Sequence, residues 1–140
     1  MAWRKPTVAD IAATLSQNEL DAYRQLPEFK SGADPIEALL SRTVSYVRAK
    51  IRRNGQVRMS PSADELPESL ISPAMDYAAF DILKRQPVNM TEERRQAREQ
   101  AIAEFERVAD GRSTPESYEG GEDATGRASV LFADAPFRVL

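Results

Sequence analysis

Apolar side chains recur at helical spacing in several separate stretches of this 140-residue chain. The longest stretch follows Asp34 and Pro35, a pair that suits a helix start because Asp caps free amides and Pro lacks one. Its apolar positions form one stripe with a period of 3.6 residues, at Ile36, Leu39, Leu40, Val44, Val47 and Ile51. Asn54 and Gly55 then supply a stop signal. The pattern predicts one long helix between these two signals.

Residues 7–26 carry two helix-start signals in succession. Thr7 precedes Asp10 by three positions, and Ser16 precedes Glu19 by the same interval. At this spacing a cap side chain and an acidic side chain bind each other's backbone amides. We therefore expect two short helices here, or one kinked helix.

Two more helices are predicted in the second half of the chain. The first has Ser72 as its cap and Pro73 in its first turn, is apolar over most of its circumference, and ends at Pro87. The second begins at Thr91, carries acids in its first turn, and stops at Gly111. With the preceding helices they predict an all-α fold, a small bundle of about four helices with an extended C-terminal arm.

The C-terminal part of the chain differs in composition from the rest. It is rich in acids and glycine, as in a flexible linker, and then becomes apolar. The large apolar side chains are Val130, Leu131, Phe132 and Phe137. Because such side chains favour burial, we expect an arm that docks on its own body, a sister subunit or another partner; a disordered end is the alternative. The predicted division is a helical domain at residues 1–111 and a flexible acidic linker with an apolar arm at residues 112–140.

Trp3, near the N-terminus of the chain, either closes the core or anchors an interface.

The amino-acid composition excludes most classes of catalytic site. The chain contains no Cys, so it has no thiolate nucleophile and no disulfide. It also contains no His, which is the commonest metal ligand and the commonest general base. The acids at residues 76 and 81, and at residues 92 and 93, are interpreted as solvated helix faces. No run approaches about 18 apolar residues, and we expect no signal peptide, because the N-terminal stretch lacks an apolar segment. We expect no catalytic residue, no metal, no cofactor and no membrane contact.

The net charge of −3 conceals an uneven distribution of charge along the chain. Residues 38–63 contain no acid, whereas acids outnumber arginines in residues 112–140. The basic side chains of the acid-free stretch are Arg42, Arg48, Lys50, Arg52, Arg53 and Arg58. They suit the negative end of the long helix's dipole. A salt-bridging surface for an acidic neighbour and contact with nucleic-acid phosphate are the two functional alternatives.

Several features follow one another in a familiar order. They are the start Thr7-Val8-Ala9-Asp10, the centre Ser45-Tyr46-Val47 of the long helix, the loop from Pro61 to Pro67, the small-residue helix at residues 74–83, Glu92-Glu93-Arg94, the helix at residues 101–108, the ending Ala109-Asp110-Gly111 and the tail at residues 127–137. In this order the chain resembles the Mu-type phage and prophage head–tail connector family, also called neck or adaptor proteins. The resemblance covers residues 7–111 and is one of pattern rather than of a single motif.

The resemblance implies a structural subunit of the virion, assembled in the bacterial cytoplasm and located at the head–tail junction. Such subunits form a homo-oligomeric ring, commonly a dodecamer, between the portal protein and a tail or stopper protein. DNA passes through the ring without sequence-specific binding. We expect subunit and partner contacts at Arg48, Arg52, Arg53, Arg58, Val130, Leu131, Phe132 and Phe137, with the arginines facing the acidic stretch at residues 116–123 of the next subunit. The alternative is a small helical regulatory or DNA-associated protein that binds through residues 42–58.

Overall fold

The computed structural model describes residues 2–29, 32 and 34–119 of the chain. This part contains five α-helices: α1 (Val8–Ala12), α2 (Gln17–Arg24), α3 (Pro35–Asn54), α4 (Ile71–Leu83) and α5 (Glu92–Ala109). Short 3₁₀ turns lie at Pro27–Phe29, Glu68–Leu70 and Pro87–Asn89. The only strands of the described residues are β1 (Trp3–Arg4) and β2 (Leu66–Pro67). The predicted all-α fold is confirmed.

Local capping explains where the first helices begin and end. The Ser16 hydroxyl accepts the Glu19 amide at 3.2 Å, and the Glu19 carboxylate accepts the Ser16 amide at 2.9 Å. This reciprocal pair starts α2 as a helix separate from α1. Asp34 accepts the Ile36 amide at 3.0 Å at the start of α3. Gly55 ends α3 with a left-handed φ of 76°, which favours glycine.

The start of α4 differs from the sequence prediction. Ser72 is not the cap: it lies inside the first turn, and the cap position is Leu70. The reason is the 3₁₀ turn Glu68–Leu70, which runs directly into α4, so the chain is already helical when it reaches Ser72. The helix ends at Leu83, the last residue of the predicted helical body and four residues before the stop signal at Pro87.

Helix α4 lies at the centre of the fold. It packs against α5 and α3 and also contacts α1 and α2. Its buried residues surround most of the helix: Ile71, Ala74, Met75, Ala78, Ala79, Ile82 and Leu83. Three of them are alanines, and small side chains allow neighbouring helices to approach closely. Phe105 of α5 is fully buried against this centre.

The N-terminal strand closes the core beside the start of α4. Trp3 pairs with Pro67 and Arg4 with Leu66 in an antiparallel bridge. Trp3 is only 7% exposed and belongs to the hydrophobic core. The core-closing interpretation of this side chain is therefore confirmed.

Candidate assembly surface

An exposed stripe of α3 carries three arginines, which we call the basic face: Arg42, Arg52 and Arg53. The small exposed residues Ser45 and Ala49 lie between them at helical spacing. Among residues 2–29, 32 and 34–119, none of the three arginines forms an ion pair. The basic face therefore offers three charges and little steric bulk to a partner.

Arg48 does not belong to the basic face, and its predicted contact with a partner is wrong. The side chain is buried at 8% exposure. Its guanidinium donates to the carbonyls of Glu65 and Ser60, both at 2.9 Å, and lies 5.8 Å from the centroid of the Trp3 ring. Burial lowers the pKa of this guanidinium below its ordinary value. Arg48 is thus a structural residue that holds the loop before β2 against α3.

Arg58 lies on the surface, but its guanidinium binds within the chain. Its Nε donates to the carbonyl of Tyr118 at 2.8 Å. The backbone of the same two residues is joined as well, since the Tyr118 amide donates to the Arg58 carbonyl at 2.7 Å. Arg58 therefore anchors the chain beyond α5 rather than presenting a free charge.

Residues 113–118, which we call the strap, return across the body after α5. The indole N–H of Trp3 donates to the Glu116 carbonyl at 2.9 Å, and the Ser69 amide donates to the Glu116 carboxylate at 3.1 Å. Burial raises the pKa of Glu116, but the hydrogen bonds from Ser69 outweigh it and hold that pKa below its usual value. The ring of Tyr118 meets Trp3 edge to face with 6.5 Å between centroids.

The strap corrects two expectations about the C-terminal part of the chain. The flexible linker was predicted from residue 112, whereas the strap is bound to the body through residue 118. The Glu116 carboxylate was predicted to face a neighbouring subunit, whereas it binds Ser69 of its own chain. The residues that could have indicated this segment in the sequence are Pro115 and Tyr118. In the structure Pro115 is buried and Tyr118 is half-buried.

A guanidinium clamp fixes the N-terminal strand on which the strap rests. Arg4 donates to both carboxylate oxygens of Asp10 at 2.9 Å and, through Nε, to Glu68 at 2.6 Å. The hydrogen bonds from Arg4, supported by the Thr7 amide, lower the pKa of Asp10 to about 2. The clamp ties β1 to α1 and to the turn before α4, and so holds Trp3 in place.

The clamp predicts a dependence of stability on pH. The Asp10 pKa is about 2 in the folded protein and about 4 in an unfolded chain, so its ionised form stabilises the fold above pH 4. This contribution is lost as the pH falls from 4 towards 2. We expect Asp10→Asn to lower the free energy of unfolding near neutral pH by about 1 kcal/mol, since Arg4 is partly solvated. The deficit should shrink across that pH range in urea titrations.

Asp64→Asn is the control for this titration. Its carboxylate is exposed and meets Lys5 only at 3.9 Å. Only a small difference in stability from the unaltered protein is expected, because the variant removes a single long ion pair between exposed groups. If the Asp10→Asn deficit stays constant down to pH 2, the Arg4 clamp does not stabilise the fold through the ionised carboxylate.

A polar groove of about 330 Å³ runs between α4 and α5, and Asp76 is one of the residues that line it. Burial raises the pKa of Asp76 above its ordinary value. The neighbouring polar side chains include Gln100, Glu104 and Arg107. No group of three or more acids that could hold a metal ion occurs in the part of the chain that the structure describes.

The predicted contacts at Val130, Leu131, Phe132 and Phe137 lie outside the described residues and stay predictions. Within the described residues, no helix has the length and apolar character needed to cross a membrane. Comparison with protein families, curated proteins and solved structures finds no match to this chain.

Proposed function

We propose that this protein is a structural connector subunit of a tailed phage or prophage particle, located in a ring between the portal and a tail or stopper protein. The observation that carries the proposal is the basic face, whose three arginines have no ion-pair partner among the described residues. A ring needs two different surfaces on each subunit, because its contacts are heterologous. The basic face supplies one of them.

The second surface is the acidic stretch that follows the strap. Glu116 is already bound to Ser69; the other acids of this stretch are Glu119, Glu122 and Asp123, of which the last two lie outside the described residues. Glu119 is exposed where the described chain ends. Opposite charges on two surfaces of one subunit favour head-to-tail pairing and suppress pairing of like faces.

Reversing the charge of the basic face should weaken assembly. The double variant Arg52→Glu with Arg53→Glu keeps the helix but places like charges opposite the neighbour's acids. We expect at least a tenfold loss of ring formation at ordinary salt, measured by analytical ultracentrifugation and by negative-stain images with the portal protein.

The matched control is Lys84→Glu with Arg95→Glu, which changes the net charge equally at two exposed positions away from the basic face. This control should assemble normally. Full rings from the Arg52→Glu, Arg53→Glu variant would contradict the pairing.

The same three arginines favour a second candidate, a small DNA-associated protein. Exposed arginines on one helix face suit contacts with phosphate. Binding of duplex DNA that weakens steeply with salt and is lost in the Arg52→Glu, Arg53→Glu variant would support this alternative. An electrophoretic mobility assay at 50 mM and 200 mM salt separates the two candidates.

A further inference from the structure

The polar groove between α4 and α5 contains a carboxylate without a partner in the described part of the chain. Asp76 is half-buried, and within residues 2–29, 32 and 34–119 it forms no hydrogen bond and no ion pair. Arg94 attracts its charge, but the guanidinium of that side chain donates to the Thr14 carbonyl at 3.1 Å. Removing a carboxylate from water is unfavourable unless another group compensates. A cation supplied from outside would compensate the partial burial of Asp76.

Negative charge predominates around the groove. Glu104, which lines it, accepts a hydrogen bond from Arg107 at 2.5 Å. On its rim, the Glu116 carboxylate of the strap accepts from the Ser69 amide at 3.1 Å, and Ser69 also lines the groove. Together with the half-buried carboxylate on α4, these groups supply three negative charges and one positive charge. The groove therefore attracts a cation and repels phosphate.

The size of the groove and its neutral polar groups suit an arginine side chain. Its volume is about 330 Å³, and the side chains of Ser72 and Gln100 line it beside Asp76. A hydroxyl and an amide oxygen can each accept a hydrogen bond. A guanidinium has five N–H donors in a planar arrangement, so it can bind a carboxylate and neighbouring neutral acceptors at once.

The basic face of the same chain lies on a different side of the molecule. Lys50 of α3 pairs with Glu106 of α5, which marks the side of α5 that faces α3. Glu104 lies two residues earlier, which is about 200° around an α-helix. The groove thus opens on the side of α5 that faces away from α3. An arginine of the basic face can therefore enter such a groove only in a second copy of the chain.

We propose that Arg52 and Arg53 of one copy enter the groove of a second copy, where one of the two guanidiniums pairs with Asp76. Both arginines are exposed and have no ion pair within the described residues, and the exposed Ala49 beside them adds little bulk. The contact joins two different surfaces, so it can be repeated head to tail. The inference rests on the ring proposed above and names the surface that receives its basic face.

Two variants of the full chain, each retaining one half of the contact, test the inference without any other protein. Asp76→Asn keeps the basic face but removes the charge of the groove, whereas Arg52→Glu with Arg53→Glu keeps the groove. Each variant alone should self-associate roughly tenfold more weakly than the unaltered chain. A one-to-one mixture should form a heterodimer that grows no further, because neither of its free ends has an intact partner surface. Sedimentation velocity separates monomer, dimer and larger species.

Asp81→Asn is the matched control, because it makes the same chemical change on the same helix. Asp81 does not line the groove, and its carboxylate lies 3.3 Å from the Lys84 ammonium. This variant should associate as the unaltered chain does. Circular dichroism should show the same helix content in Asp76→Asn and in the control, since asparagine has nearly the shape of aspartate.

The outcomes separate this contact from the connector function. The inference is overturned if the mixture stays monomeric, if Asp76→Asn associates like the unaltered chain, or if the unaltered chain is monomeric at about 1 mM. Loss of association in the arginine variant alone would leave the ring in place, with its receiving surface elsewhere. A heterodimer that forms although the unaltered chain does not bind the portal protein would support the contact and contradict the connector function.

Discussion

Phe105→Ala is expected to lower the free energy of unfolding by about 3–5 kcal/mol. The side chain is fully buried and meets the rings of Tyr46 and Tyr77 edge to face, with centroids 5.8 Å and 6.3 Å away. It joins α5 to α3 and α4 at once, so its removal leaves a cavity that no single helix can fill by a small shift. Urea denaturation followed by circular dichroism gives the difference.

Phe29→Ala is the matched control for the Phe105 variant. Phe29 is only partly buried and lies at the edge of the core, 5.0 Å from the ring of Tyr23. The same chemical change should therefore cost less than half as much there. Equal losses in the two variants would contradict the central place of Phe105.

Arg48→Met should lower the free energy of unfolding by about 2–3 kcal/mol, although it removes a charge from a basic stretch. Methionine fills much of the space but leaves the carbonyls of Glu65 and Ser60 without their donors. Each buried acceptor without a partner costs about 1–3 kcal/mol. The stacking of the guanidinium near the Trp3 ring is lost as well.

Arg52→Met is the comparison for Arg48→Met. Arg52 is exposed on the same helix, so its replacement should change stability by less than about 0.5 kcal/mol. Its effect should fall on assembly instead. An Arg48→Met protein that unfolds at the same urea concentration as the unaltered chain would show that the two carbonyl contacts do not stabilise the fold.

The helical spacing of Arg48, Arg52 and Arg53 indicates which of them is buried, whereas a count of charges along the chain does not. Arg48 lies four residues after Val44 and three before Ile51, on the apolar side of α3. This register could have separated Arg48 from Arg52 and Arg53. Helical spacing could not identify the hydrogen-bond acceptors that stabilise the buried guanidinium of Arg48. These acceptors are the carbonyls of Ser60 and Glu65, which belong to the loop after α3.

The amino-acid sequence by itself determined the helices of this protein apart from the start of α4, including the caps of α3 at Asp34 and Gly55. Caps, stops and apolar spacing act between residues a few positions apart, so they can be recognised without the fold. Only the tertiary structure decided which polar groups are available to a partner. Trp3 and Glu116 are 113 positions apart, and Arg58 and Tyr118 are 60 apart. Such contacts depend on how the helices pack, and they convert a predicted linker into a strap and bind Arg58, a predicted partner contact, within its own chain.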